Sequence, residues 1–501
     1  MNQQARQGRW ARWDRWAQRD RWDPWARGGS GRRALWCGGW LVAAGWAGAL
    51  PLVSGLGPHR SWGVCAAIGY LAAAVAVVVL PRRRARAASV AVALCGAVLV
   101  PLLLLVLTGQ GQSEVGVIER SAARLLDDGT PYAAEPRTLA EYTPYLPGMA
   151  AFGLPRALSE ALPWAQALPW VEGWPARLLG DARLWCAAVF LGCLLRASGP
   201  RRAGVALLTA SPVVALPLCV SGVDLPMTGL CCLALAGAAR GRPVGAGLAL
   251  AAACSLKWTA WPALPVVAGL LAATTGRRAA LRGTAVAVAG TAVLVLPGAL
   301  RSPGPMLRQV FAFPTGRGDL PTPAGSPLPG RLLADLGPVG WSAAVALLLL
   351  AGLAVAVSLV LRPPRDVVGA ADRLALGLCL AFLLAPAGRF GYLALPLALA
   401  VWARSRSAGR PAPRSFEPNS FAPHPFEPNS FGPNSPVDPR TEVVPIPWAP
   451  LSSSPTTSRP ARAASRPSST PWPPACPPAR SSSTPRTNPA RTATTPLSPS
   501  R

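Results

Sequence analysis

The charged residues inside the apolar part of this chain are few enough to weigh singly. Glu114 comes six residues after an apolar run that ends at Thr108, just before an amphipathic pattern. A carboxylate at such a boundary can be partly desolvated, which suits it to take a proton from a hydroxyl. Lys257 is the only lysine in the sequence; it closes an apolar run and is followed by Trp258 and Trp261. An ionisable group at membrane depth is a functional candidate, although a lysine there can also snorkel to the interface. Arg389 stands between two apolar runs, where it can meet a ligand or anchor at the interface. Asp224 ends the turn Ser221–Asp224, placed either to hold hydroxyls or to cap the next helix. Tyr132 follows Glu114 in a Gly-x-Pro-Tyr turn, and Tyr142 and Tyr145 come next in a Pro-rich stretch, where their rings suit stacking on a ligand or interfacial anchoring. The chemistry on offer is a general base with cations able to take up developing negative charge.

Other chemistries find little footing. The two histidines, His59 and His424, are far apart in sequence, so a His-built metal site or a Ser-His triad is not expected. Of the eleven cysteines, none falls in residues 109–181 and nearly all lie in apolar runs, where Cys acts as a small hydrophobe. The pattern calls for no metal and no cofactor.

The elements that must position these residues are membrane helices. The 501-residue chain is 51% hydrophobic and only 14% charged, with repeated apolar runs of spanning length. The expected class is an all-α membrane protein, a bundle of about twelve spans between residues 34 and 403. Residues 109–181 form its large first loop. There Val117, Ile118, Ala122, Leu125 and Leu126 recur at helical spacing, as in a helix lying along the membrane surface, and Asp128-Gly129 ends the pattern. Trp164, Trp170 and Trp174 then look like an interfacial belt.

Charge sets the expected sidedness. The short connections Pro81–Arg86, Arg196–Arg202, Arg240–Arg242, Arg277–Arg282 and Arg362–Arg365 are all basic, as cytoplasmic loops should be. Residues 109–181 carry nine acidic residues against five arginines, and three spans before them place them outside. Glu114, Asp224, Lys257 and Arg389 then fall on one extracytoplasmic side. Residues 1–33 form a basic arm of repeated Arg-Trp, suited to an anionic bilayer or to disorder. Residues 404–501 read as a disordered Pro/Ser/Arg-rich cytoplasmic tail in which Phe416–Phe421 recurs at Phe426–Phe431. The net charge of +28 is accounted for by these loops and tails, so nucleic acid is not an expected partner.

These residues resemble glycosyltransferase family 87. The family's pattern of an acidic residue, a small-residue helix, G-x-x-Y and Y-x-P reads here as Glu114, Gly129–Tyr132 and Tyr142-Thr143-Pro144. Gly245–Pro262 resembles its small-residue helix ending in Lys-x-x-x-x-Pro, and Leu384–Tyr392 resembles its late Ser-Pro-x-x-x-x-Tyr element. Glu114 replaces the usual Asp and Ile118 the usual Tyr, and the two spans before residue 88 look like an addition. The resemblance implies the GT-C fold and transfer of a hexose, mannose in the family, from a polyprenyl-phosphate donor to a lipid or glycan acceptor of the cell envelope. It implies Glu114 as base, and Lys257 and Arg389 beside the donor phosphate. Two other classes fit parts of the chain: a secondary transporter, by span count, and a scaffold recruiting partners through its Pro-rich tail.

Overall fold

The computed structural model describes residues 31–161, 173–200 and 202–407. All of them belong to one unit, Met1–Ser415. Most of the Arg-Trp arm, Trp164, Trp170 and the tail from residue 408 lie outside the described residues. Among the described residues there is no strand, only an isolated bridge between Gly325 and Gly388.

The helices in chain order are α1 Gly31–Val53, α2 Gly57–Val79, α3 Arg82–Leu107, α4 Ser113–Asp127, α5 Leu154–Ala161, α6 Trp174–Gly180, α7 Ala182–Ser198, α8 Arg202–Ala210 and α9 Pro212–Val220. They continue as α10 Leu225–Ala238, α11 Pro243–Leu256, α12 Ala263–Thr274, α13 Arg277–Arg301, α14 Pro329–Ala334, α15 Pro338–Leu361, α16 Val367–Leu384 and α17 Ala394–Ser407. Six of them (α1, α2, α3, α13, α15 and α16) are long and apolar enough to cross a membrane. The bent pairs α6–α7 and α8–α9 raise the number to eight if each is one span. The chain is therefore a membrane-embedded helical protein; among the described residues six to eight helices are long and apolar enough to span, where the apolar runs count about twelve. The difference lies in short helices. At about 1.5 Å per residue, the 14-residue α10, α11 and α17 reach about 21 Å, less than a hydrocarbon core of about 30 Å.

Proline explains a local break and its repair. Pro101 in α3 has no N–H, so the carbonyl of Ala97 loses its helical donor, and the turn Cys95–Leu99 widens to π geometry. The indole N–H of buried Trp62 on α2 takes that carbonyl at 2.9 Å, and the Cys219 thiol of α9 reaches it at 3.6 Å. The defect thus becomes a three-helix contact.

The first loop docks on the bundle. Amide N–H groups of Gln112 and Leu146 donate to the terminal carbonyls of Val220 and Leu256, at 2.9 and 3.0 Å. The apolar face of α4 is packed against protein, with Val117, Ile118 and Ala122 buried, instead of being left for lipid. Gly129, at φ 71°, supplies the left-handed residue after its C-terminus. Arg183, buried at the start of α7, pairs with Asp181 at 2.6 Å and donates to the carbonyls of Gln110 and Cys219 at 2.7 and 3.1 Å. It ties α7 to the ends of α3 and α9.

Two glycines set a close helix crossing. A Cβ on Gly69 of α2 would lie 2.6 Å from the Cα of Gly96 in α3, so the two backbones touch. Gly69→Ala should force them apart at a cost of about 1–3 kcal/mol. Thermal unfolding in detergent checks this: the midpoint falls for Gly69→Ala but not for Gly45→Ala, whose added methyl meets nothing within 4 Å.

Candidate functional site

Glu114 sits in the first turn of α4, where the helix dipole favours a carboxylate. That turn is fixed by the Gln112–Val220 main-chain bond. Glu114 Oε1 accepts from Arg389 Nη1, a pairing across 275 residues of sequence. Arg389 stands in extended backbone after Gly388, which exchanges main-chain bonds of 3.0 and 2.9 Å with Ser326 and Ala324. Residues 324–326 therefore prop up the arginine that holds Glu114.

A second ion pair lies in the same place. Lys257 Nζ meets Asp224 Oδ1 at 2.6 Å. Asp224 is the N-cap residue of α10, yet its side chain caps nothing. Of the two roles its position offered, capping is not the one taken, because the carboxylate is engaged by Lys257. Lys257 breaks from α11 in extended backbone, next to the Leu256 carbonyl that binds Leu146. That bond sets Tyr145 beside the lysine, whose Nζ lies 5.5 Å from the Tyr145 ring centre and 5.2 Å from that of Tyr392. Burial alone would favour neutral lysine, but Asp224, with smaller contributions from Tyr392 and Glu114, outweighs it and holds the pKa above the usual lysine value. For Tyr145, burial, then the charges of Glu114 and Asp224, push the phenol well above its ordinary value, so it remains a neutral O–H group.

Both pairs open on one cavity of about 910 Å³, together with Tyr142, Tyr145 and Tyr392. At its polar end, Tyr142 stacks on Phe313 with ring centres 4.4 Å apart. From there the cavity extends between apolar walls that include Val266 of α12, Gly352 and Val355 of α15, and Gly377 and Leu378 of α16. Six of the seven residues singled out as candidates thus share one space. Tyr132 does not: it is 2% exposed, and its hydroxyl donates to the Tyr145 carbonyl at 2.9 Å. The turn at Gly129 folds this ring inward, where it supports the Tyr145 backbone from behind. The sequence marks Tyr392 only as the end of the Leu384–Tyr392 element and gives it no role in the site, and Phe313 carries no local signal at all. Among the described residues, no group of three or more His, Cys, Asp or Glu is placed to hold a metal ion.

Comparison with family models, curated proteins and solved structures gives no match for this chain.

The pairs are unequal in burial, and this predicts unequal mutants. The Lys257 side chain is 13% exposed, against 32% for Asp224. Asp224→Ala leaves a buried cation without a partner and should cost about 3 kcal/mol, whereas Lys257→Met leaves an acid that water can reach and should cost less. The Asp224→Ala/Lys257→Met double variant should recover most of the loss. Denaturation midpoints of the three variants, compared as a cycle, check the order.

Proposed function

We propose that this chain is a membrane glycosyltransferase that moves a hexose, mannose by family resemblance, from a polyprenyl-phosphate donor to a lipid or glycan acceptor of the cell envelope. The observation that carries the reading is the meeting of Glu114–Arg389 and Asp224–Lys257 in a cavity whose remaining walls are mostly apolar. A lipid-phosphate sugar has the matching parts: an anionic phosphate, a polar sugar and a long apolar tail. The family 87 resemblance of the segments around Glu114, Lys257 and Arg389 supports the same reading, and with it a GT-C arrangement of about twelve traverses. In that arrangement the shorter helices count as spans, the basic connections face the cytoplasm, and the site faces outward.

The reaction follows from these residues. The donor phosphate takes Lys257 and Arg389 as partners, which frees Glu114 from its resting ion pair. Glu114 removes the proton from the acceptor hydroxyl as that oxygen attacks the anomeric carbon. The bond from that carbon to the phosphate oxygen breaks, the configuration inverts, and the electron pair leaves with polyprenyl phosphate. Lys257 and Arg389 stabilise that charge where water is scarce. Asp224 keeps Lys257 charged and in place between turnovers. Tyr142 and Tyr145 line the space for the sugar, and the limb between α12, α15 and α16 takes the tail.

Membranes containing the protein, supplied with labelled polyprenyl-phosphate-mannose, test this. Wild type should transfer label, and Glu114→Gln should be slower by about 100-fold or more, with the donor still bound. Equal transfer by both removes Glu114 from the mechanism. Movement of a solute into proteoliposomes with no transfer would favour the transporter reading instead.

A further inference from the structure

The two N-terminal helices look like an addition to the catalytic part of the chain, yet their turn touches the segment that carries Glu114. His59, in the first turn of α2, contacts the Gln112 side chain with 2.6 Å between His59 Nε2 and Gln112 Nε2. Two residues on, the Ser61 hydroxyl donates to Gln110 Oε1 at 3.2 Å. Gln110 and Gln112 lie four and two residues before Glu114, and Gln112 is the N-cap of α4. No side chain caps that helix end. Its entry is fixed from outside, by Val220 on the main chain of Gln112 and by His59 on its side chain.

We propose that His59 is a positioning residue for Glu114: through Gln112 it fixes the first turn of α4 and so the direction in which the carboxylate faces. This rests on the reading of Glu114 as the base. Either the Gln112 amide nitrogen donates to His59 Nε2 or, with the amide turned over, its oxygen accepts from the ring; the contact is a hydrogen bond both ways. Glu114 stands in the first turn of α4, two residues after the Gln112 that His59 holds. A second proton on His59 would oblige the Gln112 amide to present its oxygen and would add a positive charge near the Glu114 turn. The α1–α2 hairpin is thereby part of the active site without touching substrate.

The test uses the full chain in detergent or nanodiscs. His59→Leu keeps the bulk but offers no acceptor, whereas His59→Gln keeps a hydrogen-bonding partner for Gln112 and cannot titrate. Expected for His59→Leu is a fall in kcat of up to about tenfold with unchanged KM for the polyprenyl-phosphate sugar, because Lys257 and Arg389 are undisturbed. His59→Gln should recover kcat to within about twofold and shift the acid side of the pH–rate profile, since one titrating neighbour of Glu114 is gone. A second readout needs no sugar chemistry: hydrogen exchange of residues 113–118 should quicken in His59→Leu and stay as wild type in His59→Gln. Wild-type exchange and kcat in His59→Leu overturn the proposal. So does an equal loss in both variants. If wild type transfers no sugar at all, the glycosyltransferase reading fails, and the exchange data alone decide whether His59 orders the Glu114 turn.

Discussion

The cost of a charge away from water organises this protein. Lys257 and Glu114 lie at the ends of helices in a chain with few charged residues, partly buried, where an unpaired charge is costly. Each finds one far away in sequence, Asp224 for the lysine and Arg389 for the glutamate. Satisfying both pairs requires the starts of α4 and α10, the end of α11 and the turn before α17 to meet at one end of the bundle. Main-chain bonds do the fine placement: Gln112 to Val220, Leu146 to Leu256, Gly388 to Ala324. None of these involves a side chain, which leaves the site's side chains free for other contacts.

Such pairs are not needed for stability alone, since apolar residues of like volume commonly serve a core as well or better. They do give a cluster that is neutral at rest, two cations against two anions. A ligand phosphate entering it would re-pair the cations and leave a carboxylate exposed to whatever enters next. On the proposed reading that order is the mechanism: donor first, and only then a free base. The apolar limb of the cavity, lined by Val266, Val355 and Leu378, adds a place for a hydrocarbon tail that a soluble sugar nucleotide would not use.

Much of this was legible in the residues. A lone lysine closing an apolar run, and an acid just past another, were conspicuous because the chain is so poor in charge. Arginine placement grouped Glu114, Asp224, Lys257 and Arg389 on one side, and they do meet. Their pairing was not legible, because it depends on how turns separated by 33 and 275 residues face one another. Tyr132 misled for a related reason: spacing places a ring near Glu114 but cannot tell inward from outward once Gly129 reverses the chain. The number of crossings is less legible, because apolarity alone does not distinguish a full crossing from a helix of 14 residues. His59 was set aside on sequence grounds, since a hydrogen bond to a side chain 53 residues later leaves no periodic trace.

The central claim is that Lys257 and Arg389 together form a site for a lipid-borne phosphate. The most direct measurement is native mass spectrometry of the purified protein with polyprenyl phosphate, against polyprenol of the same length. The account predicts one phosphate-bearing lipid per chain, little retention of the neutral alcohol, and loss of the bound lipid in Lys257→Met with the fold intact. Equal retention of alcohol and phosphate, or unchanged binding in Lys257→Met, would contradict it.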